Sequence, residues 1–245
     1  MDNISKYMET LEKVATIFNN NNIRYALSGG VVAELRSGKV KEHKDIDFSV
    51  FSEQMEDIER LLMENGIHCM TDLVHLNNND NWVDTVSHNK TANDPSTGVD
   101  IGFFTYENQD DEFSDGECVS EAGFVRKTDI EYKGKQITLR ERFDDELKDY
   151  LFSEDRYENV NGTRVKVQPL PYIIMLKTRN MRGKDRGDIV RTTELLTDDE
   201  IDEYNRFKNS ILSIHCTAQC GENAKEGNCD EVKRLIDIWE SRGER

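Results

Sequence analysis

Two short motifs carry the chemistry of this chain: Ser28-Gly29-Gly30 and, fifteen residues further on, Asp45-Ile46-Asp47-Phe48. On an extended strand, residues i and i+2 point to the same side. Asp45 and Asp47 are therefore expected to share a solvent-facing side, with Ile46 and Phe48 turned to the core. Two carboxylates about 7 Å apart at Cα offer hard oxygen ligands suited to Mg²⁺, a cation that keeps room for water and substrate phosphates. Alone, the pair reads first as a solvated strand face, because 49 of the 245 residues are acidic and such spacings arise by chance. The glycines shift that balance. Tyr25-Ala26-Leu27-Ser28 reads as a short buried strand, Gly29-Gly30 permits positive φ and close backbone approach, and Val31 to Arg36 opens a helix. A strand, turn and helix start of this kind present unpaired N–H groups to an anion, and Ser28 adds a hydroxyl. The plainer alternative is an ordinary tight turn. Taken together, the two motifs point to nucleotidyl transfer.

Ser28-Gly29-Gly30 followed by Lys41-x-His43-x-Asp45-Ile46-Asp47 resembles the signature of the DNA polymerase beta-type nucleotidyltransferase superfamily, in particular its aminoglycoside and lincosamide nucleotidyltransferases. The resemblance implies two Mg²⁺ ions, a nucleoside triphosphate co-substrate with ATP favoured, and a third catalytic carboxylate on a later strand. Asp100, within Gly98-Val99-Asp100-Ile101-Gly102-Phe103-Phe104, is the candidate; its other reading is a strand-end aspartate making a turn. His43 orients Asp45, contacts phosphate, or is a plain polar loop residue. A second block, from Val167-Gln168-Pro169-Leu170-Pro171-Tyr172 through Lys177 to Lys184-Asp185-Arg186-Gly187-Asp188-Ile189, is similar to a pattern that follows the catalytic strands in many bacterial nucleotidyltransferases. Pro171 suits a helix start. Lys177 then stands where an ammonium would neutralise triphosphate charge, or as a surface lysine lying over apolar neighbours. Lys184 is a further nucleotide-binding candidate. Asp185 and Asp188, three apart on a helix, would orient Lys177, Arg179 or Arg186.

What the resemblance implies as a reaction is transfer of a nucleoside monophosphate, AMP favoured, to a hydroxyl of a small cationic acceptor such as an aminoglycoside, with release of pyrophosphate. Two other readings stay open. One is a toxin-like transferase that modifies tRNA or protein, and the other is a catalytically inactive nucleotide-binding interaction module.

The elements that must position these residues follow from periodicity. Ile4, Met8, Leu11, Val14 and Phe18 recur at helical spacing and end in an asparagine run, 19 to 22. Strands are expected at about 24–28, 45–51, 67–76, 82–87 and 99–105, with a helix from Ser52 to about Asn65 and a loop over 89–98. Glu131 to Leu139 and Tyr157 to Val167 read as hairpin arms, the latter joined by Asn161-Gly162. The fold class is α+β (α/β mixed): a nucleotidyltransferase-type mixed β-sheet backed by helices, followed by a mainly helical C-terminal region. The expected division is a catalytic domain over 1–168 and a helical domain over 169–245.

Composition limits the partners. The net charge of −17 disfavours an extensive nucleic-acid footprint and suits a small cationic acceptor. The acid-rich stretch Asp110 to Glu121 would line a pocket for such a molecule or, more simply, form a solvated loop. No run approaches ~18 apolar residues and the start is not signal-like, so a cytoplasmic protein without a membrane segment is expected. Five cysteines form no even disulfide framework. His215, Cys216, Cys220 and Cys229 lack the paired spacing of common zinc sites and read as packing residues and a loop thiol before they read as zinc ligands.

Overall fold

A computed structural model describes residues 2–43, 45–70, 74–76, 90–109, 123–132, 135–143, 145–180, 185–212, 215–220 and 223–228. Helix α1 (Asn3–Asn20) starts on Asp2, whose carboxylate accepts the Ser5 N–H at 2.7 Å. It buries Tyr7, Leu11, Val14, Ala15 and Phe18 and ends in the asparagine run, where Asn22 takes a φ of 54°. Strand β1 (Tyr25–Leu27) leads through Ser28-Gly29-Gly30 into α2 (Val31–Ser37), which stops on Gly38 at φ 68°. Strand β2 (Asp45–Phe51) follows, then α3 (Met55–Glu64), with Ile58, Leu61 and Leu62 buried as their spacing predicts.

The next strands are β3 (His68–Met70), β4 (Val74–Leu76), β5 (Lys90–Asp94) and β6 (Val99–Gln109). β5 corrects the expectation of a loop over 89–98. Lys90-Thr91-Ala92-Asn93-Asp94 has no apolar alternation, and it is pairing with β6 that makes it a strand. The expected strand at 82–87 lies outside the described residues, as does the acidic stretch 110–121. β7 (Gly123–Tyr132) and β8 (Lys135–Phe143) form a longer hairpin than the arms read at 131–139.

Helix α4 (Asp145–Leu151) precedes β9 (Tyr157–Val160) and β10 (Thr163–Lys166). Asn161 (φ 51°) and Gly162 (φ 93°) give their hairpin two positive-φ turn residues, as a mirror-image type I turn requires. Then come α5 (Leu170–Asn180), α6 (Asp185–Thr193) and α7 (Asp198–Leu212). The chain is helical here as expected, but beyond Leu212 it differs: β11 (His215–Cys220) and β12 (Asn223–Asn228) form a hairpin that adds to β8. Its residues alternate too weakly to declare a strand, and a waiting sheet edge supplies the partner.

The main sheet runs β1-β2-β6-β7-β8-β11-β12. β6 is its organising strand. One edge pairs with β2 in parallel, while the other pairs antiparallel with β5 over its first half and with β7 over its last residues. A core of α1, β1, α2, β2, α3 and β6 residues, closed by Val165, Val167, Leu170 and Ile173, holds the N-terminal part together. A second cluster joins Phe51, Tyr106 and Phe143 to Phe152, Tyr172, Met175 and Phe207, which packs the later helices onto the sheet. Among the described residues, no helix is long and apolar enough to cross a membrane.

Candidate active site

The glycine bend is built by backbone pairing. β1 lies antiparallel to β2 with Leu27 opposite Phe48, and the Ser28 N–H continues the ladder by donating to the Asp47 carbonyl at 2.8 Å. Gly29 then turns at φ 81°, a conformation that L side chains rarely adopt. A Cβ on Gly29 would lie 3.3 Å from Asp47 Oδ2, and one on Gly30 would lie 3.8 Å from Lys177 Nζ and 3.9 Å from Asp188 Oδ2. The bend therefore sits between an acid on one side and a lysine on the other, with its backbone bare where the two approach.

Parallel register sets the acids. Asp45 pairs with Asp100, and Asp47 with Gly102. Ile46 and Phe48 are fully buried, so Asp45 and Asp47 project to the opposite face, as the alternation predicts. Asp100 lies in the same row as Asp45, and Asn93 on β5 extends that row and donates Nδ2–H to Asp100 Oδ1 at 2.8 Å. Gly102 adds no side chain opposite Asp47. The structure thus brings the three acids to one face, but it does not draw them into a preformed cage. Among the described residues, no three His, Cys, Asp or Glu side chains gather closely enough to hold a metal. Mg²⁺ asks for only one or two carboxylates, with water and substrate phosphates completing its shell. The hard oxygen donors and the side-chain-free glycine cradle fit such a cation.

The lysine side of the site comes from the C-terminal helices. Lys177 on α5 is almost fully buried, and its ammonium donates to Asp188 Oδ2 at 2.8 Å and approaches Asp185 Oδ1 at 3.4 Å. Arg191 also donates to Asp188. Burial works against ionisation of Asp188, but hydrogen bonds and charge from Lys177 and Arg191 outweigh it and hold the carboxyl below its ordinary value. Lys177, one of the cations that Asp185 and Asp188 were expected to orient, is gripped by both. Lys184 lies outside the described residues.

Ser28 and His43 each have a partner within the fold. The Ser28 hydroxyl donates to Gln168 Oε1 at 2.6 Å, and Gln168 passes the chain on by donating Nε2–H to Ser49 Oγ at 2.8 Å. Its proton is therefore engaged in holding the bend, and backbone N–H groups are left as the donors for an anion. Gln168 also donates its own N–H to the Leu27 carbonyl at 2.9 Å, so one buried side chain ties β1, β2 and the lead-in to α5. His43 Nε2 meets Glu34 Oε2 at 2.8 Å, and the Lys41 N–H donates to the same oxygen at 2.8 Å. Burial disfavours the Glu34 carboxylate, while these donors and the charges of His43 and Lys41 bring its pKa below the usual range. The His43 ring lies 5.3 Å from that of Tyr7 on α1. Tyr7, Asn93, Gln168 and Glu34 escape sequence reasoning, because nothing local distinguishes a buried polar partner from a neutral surface residue.

A glycine bend between strand and helix, two acids on the next strand, a third on its parallel neighbour and a lysine at the bend are the arrangement that the resemblance to DNA polymerase beta-type nucleotidyltransferases implies. The chain is also similar to the antibiotic-modifying branch. Residues 10–85, which contain the bend, His43, Asp45 and Asp47, match the model of the aminoglycoside-2''-adenylyltransferase family. The crystal structure of ANT(2'')-Ia in complex with adenylyl-2''-tobramycin shares the fold at a TM-score of 0.50, with 12% identity over 83% of this chain and 97% of that one. The lincomycin-bound lincosamide antibiotic adenylyltransferase LnuA aligns at a TM-score of 0.49, with 13% identity over 80% of this chain and 100% of that one. No curated protein sequence matches the chain.

Proposed function

We propose that the chain is a cytoplasmic enzyme that transfers AMP from ATP to a hydroxyl of a small cationic acceptor of the aminoglycoside type and releases pyrophosphate. The observation that carries this reading is the register of β2 on β6, which sets Asp100 level with Asp45 beside the bend that Asp47 and Lys177 flank. Asp45, Asp47 and Asp100 would hold two Mg²⁺ ions. Held there, such ions would supply a lower pKa for the attacking hydroxyl and stabilisation of charge on the attacking and leaving oxygens.

The chain's own groups do the rest. N–H groups at Gly29 and Gly30 grip the β and γ phosphates, and Lys177 stands at the same bend to neutralise their charge. Asp185 and Asp188 fix the ammonium before substrate arrives, so less side-chain freedom is lost on binding. Residues 1–168 are then the catalytic domain, and 169–245 a second domain that contributes Lys177. The family match over residues 10–85 supports AMP and an aminoglycoside as the transferred group and acceptor, and the net charge of −17 suits a polycation.

A single assay tests this. The protein is incubated with Mg²⁺ and each labelled nucleoside triphosphate against aminoglycosides, lincosamides and total tRNA. Adenylylated aminoglycoside and pyrophosphate are expected, with turnover falling at least ~10³-fold in Asp47→Asn. Label in tRNA alone would replace the acceptor, and an undiminished Asp47→Asn rate would refute the role given to the acids.

A further inference from the structure

Helix α2 follows the glycine bend and runs for only 7 residues, and its buried residues, Val31, Val32 and Ala33, all lie in the first turn. In the second turn Leu35 packs partly against the core, and Arg36 is bonded to carboxylates from two distant segments. Arg36 Nη1 donates to Glu200 Oε1 at 2.7 Å and to Oε2 at 2.8 Å, and its Nε donates to Glu158 Oε1 on β9 at 3.2 Å. Glu200 is buried and is itself fixed at the start of α7. Its Oε2 accepts the Thr197 N–H at 3.1 Å, and the Thr197 hydroxyl accepts the Glu200 N–H at 3.3 Å, a reciprocal helix cap. At the other end of α2, Gly30 faces Lys177 on α5 and Asp188 on α6. The C-terminal helices thus hold α2 at both ends. A buried ion pair is seldom the most stable way to join two elements. What a charged hydrogen bond adds is a defined direction and distance.

We propose that Arg36 is a positioning residue for the glycine bend: anchored on Glu200 and Glu158, it fixes α2 so that the N–H groups at Gly29 and Gly30 stand opposite the Lys177 ammonium. The assignment rests on the reading of the bend as a triphosphate site. Arg36 lies about 9 Å along the helix axis from Gly30, so it acts through the helix and not on the ligand. A short, rigid helix carries a tilt at one end to the other, and hydrogen bonds from the bend weaken steeply once their donors leave line. A second clamp on α7 offers a comparison. Glu203, one turn along the same face as Glu200, takes Arg156 and, at 3.2 Å, the Tyr150 hydroxyl. That clamp also ties α7 to the catalytic segment, but through α4 and the chain before β9 instead of α2.

Variants of the full chain separate this role from a contribution to stability alone. Affinity for α,β-methylene-ATP with Mg²⁺ is measured by calorimetric titration well below each melting temperature, beside steady-state KM and kcat. Arg36→Met should weaken the analogue about ten-fold and raise KM for the triphosphate to match, with kcat within about three-fold of wild type. Glu200→Gln should weaken it at least about three-fold, and the double variant should lose no more than Arg36→Met alone, because the two side chains act as a unit. Arg36→Lys, which keeps the charge without the directed guanidinium donors, should fold and lose about three-fold. Arg156→Met should lower the melting temperature as Arg36→Met does, yet leave the affinity within about two-fold of wild type. Equal losses of affinity in Arg156→Met and Arg36→Met would assign both arginines to stability and overturn the proposal. Unchanged affinity in Glu200→Gln and Arg36→Lys would overturn it too, and these two variants decide the matter if Arg36→Met does not fold. If the wild-type protein bound no analogue, the reading of the bend as a triphosphate site would fall first, and the role of Arg36 with it.

Discussion

At Lys177 the proposed binding chemistry and fold stability share one ammonium. Asp188 and the fully buried Asp185 hold it at the glycine bend, so truncation removes the cation beside a buried acid together with the phosphate contact proposed for it. Lys177→Met should therefore destabilise the protein by about 3–5 kcal/mol in urea unfolding, and should raise KM for the triphosphate at least ~10-fold. Adding Asp185→Asn should restore part of the stability while leaving KM high. If the double variant lost the sum of two independent effects, Lys177 and Asp185 would not be an energetic pair. Lys177 and both carboxylates are legible in the Pro171-to-Asp188 block, and packing shows that the two acids hold this lysine.

Among the elements, α1 is latched to the sheet by polar contacts as well as by its apolar face. Lys13 meets Asp94 at 3.0 Å, and Thr10 shares a hydrogen bond of 2.6 Å with Thr97. Asp94 also accepts from the Ser96 N–H and hydroxyl, and so shapes the turn from β5 into β6 that delivers Asp100. Burial alone would raise the Asp94 pKa, but the Ser96 hydroxyl and Lys13 hold it below the ordinary 3.8. A depressed folded-state pKa contributes stability above the unfolded value, and that contribution is lost as pH falls through the folded value. Stability should thus decline below about pH 4. Asp94→Asn should cost about 1–2 kcal/mol at neutral pH and make the decline shallower, as followed by melting temperature against pH. An unaltered pH profile would remove Asp94 from the account.

For the whole molecule, the governing quantity is a net charge of −17. A field of that sign draws in polycations and is screened by salt over about 8–10 Å at physiological ionic strength. For the proposed acceptor, KM of a polycationic aminoglycoside should rise several-fold, roughly 3–10, between low and moderately high KCl, while KM of a lincosamide, which carries less charge, should change little. Steady-state kinetics across a salt series checks this, and equal responses would show that acceptor capture owes nothing to the overall charge. The same field would work against the proposed triphosphate, an effect that a lysine held at the bend would offset locally.

Short-range rules sufficed for the features that depend on neighbours in the chain. Gly29 at positive φ, the alternation that buries Ile46 and Phe48 and turns Asp45 and Asp47 outward, and the Asn161-Gly162 turn all follow from local sterics and periodicity. Tertiary structure alone decided that 90–94 is a strand, that 215–228 returns to the sheet as a hairpin, that the Ser28 proton goes to Gln168, that His43 turns to Glu34, and that Asp100 stands level with Asp45. Each of these is a pairing between segments far apart in sequence. Strand register and buried hydrogen bonds are chosen by the packed core as a whole, where a polar group must find whichever partner the fold brings within reach.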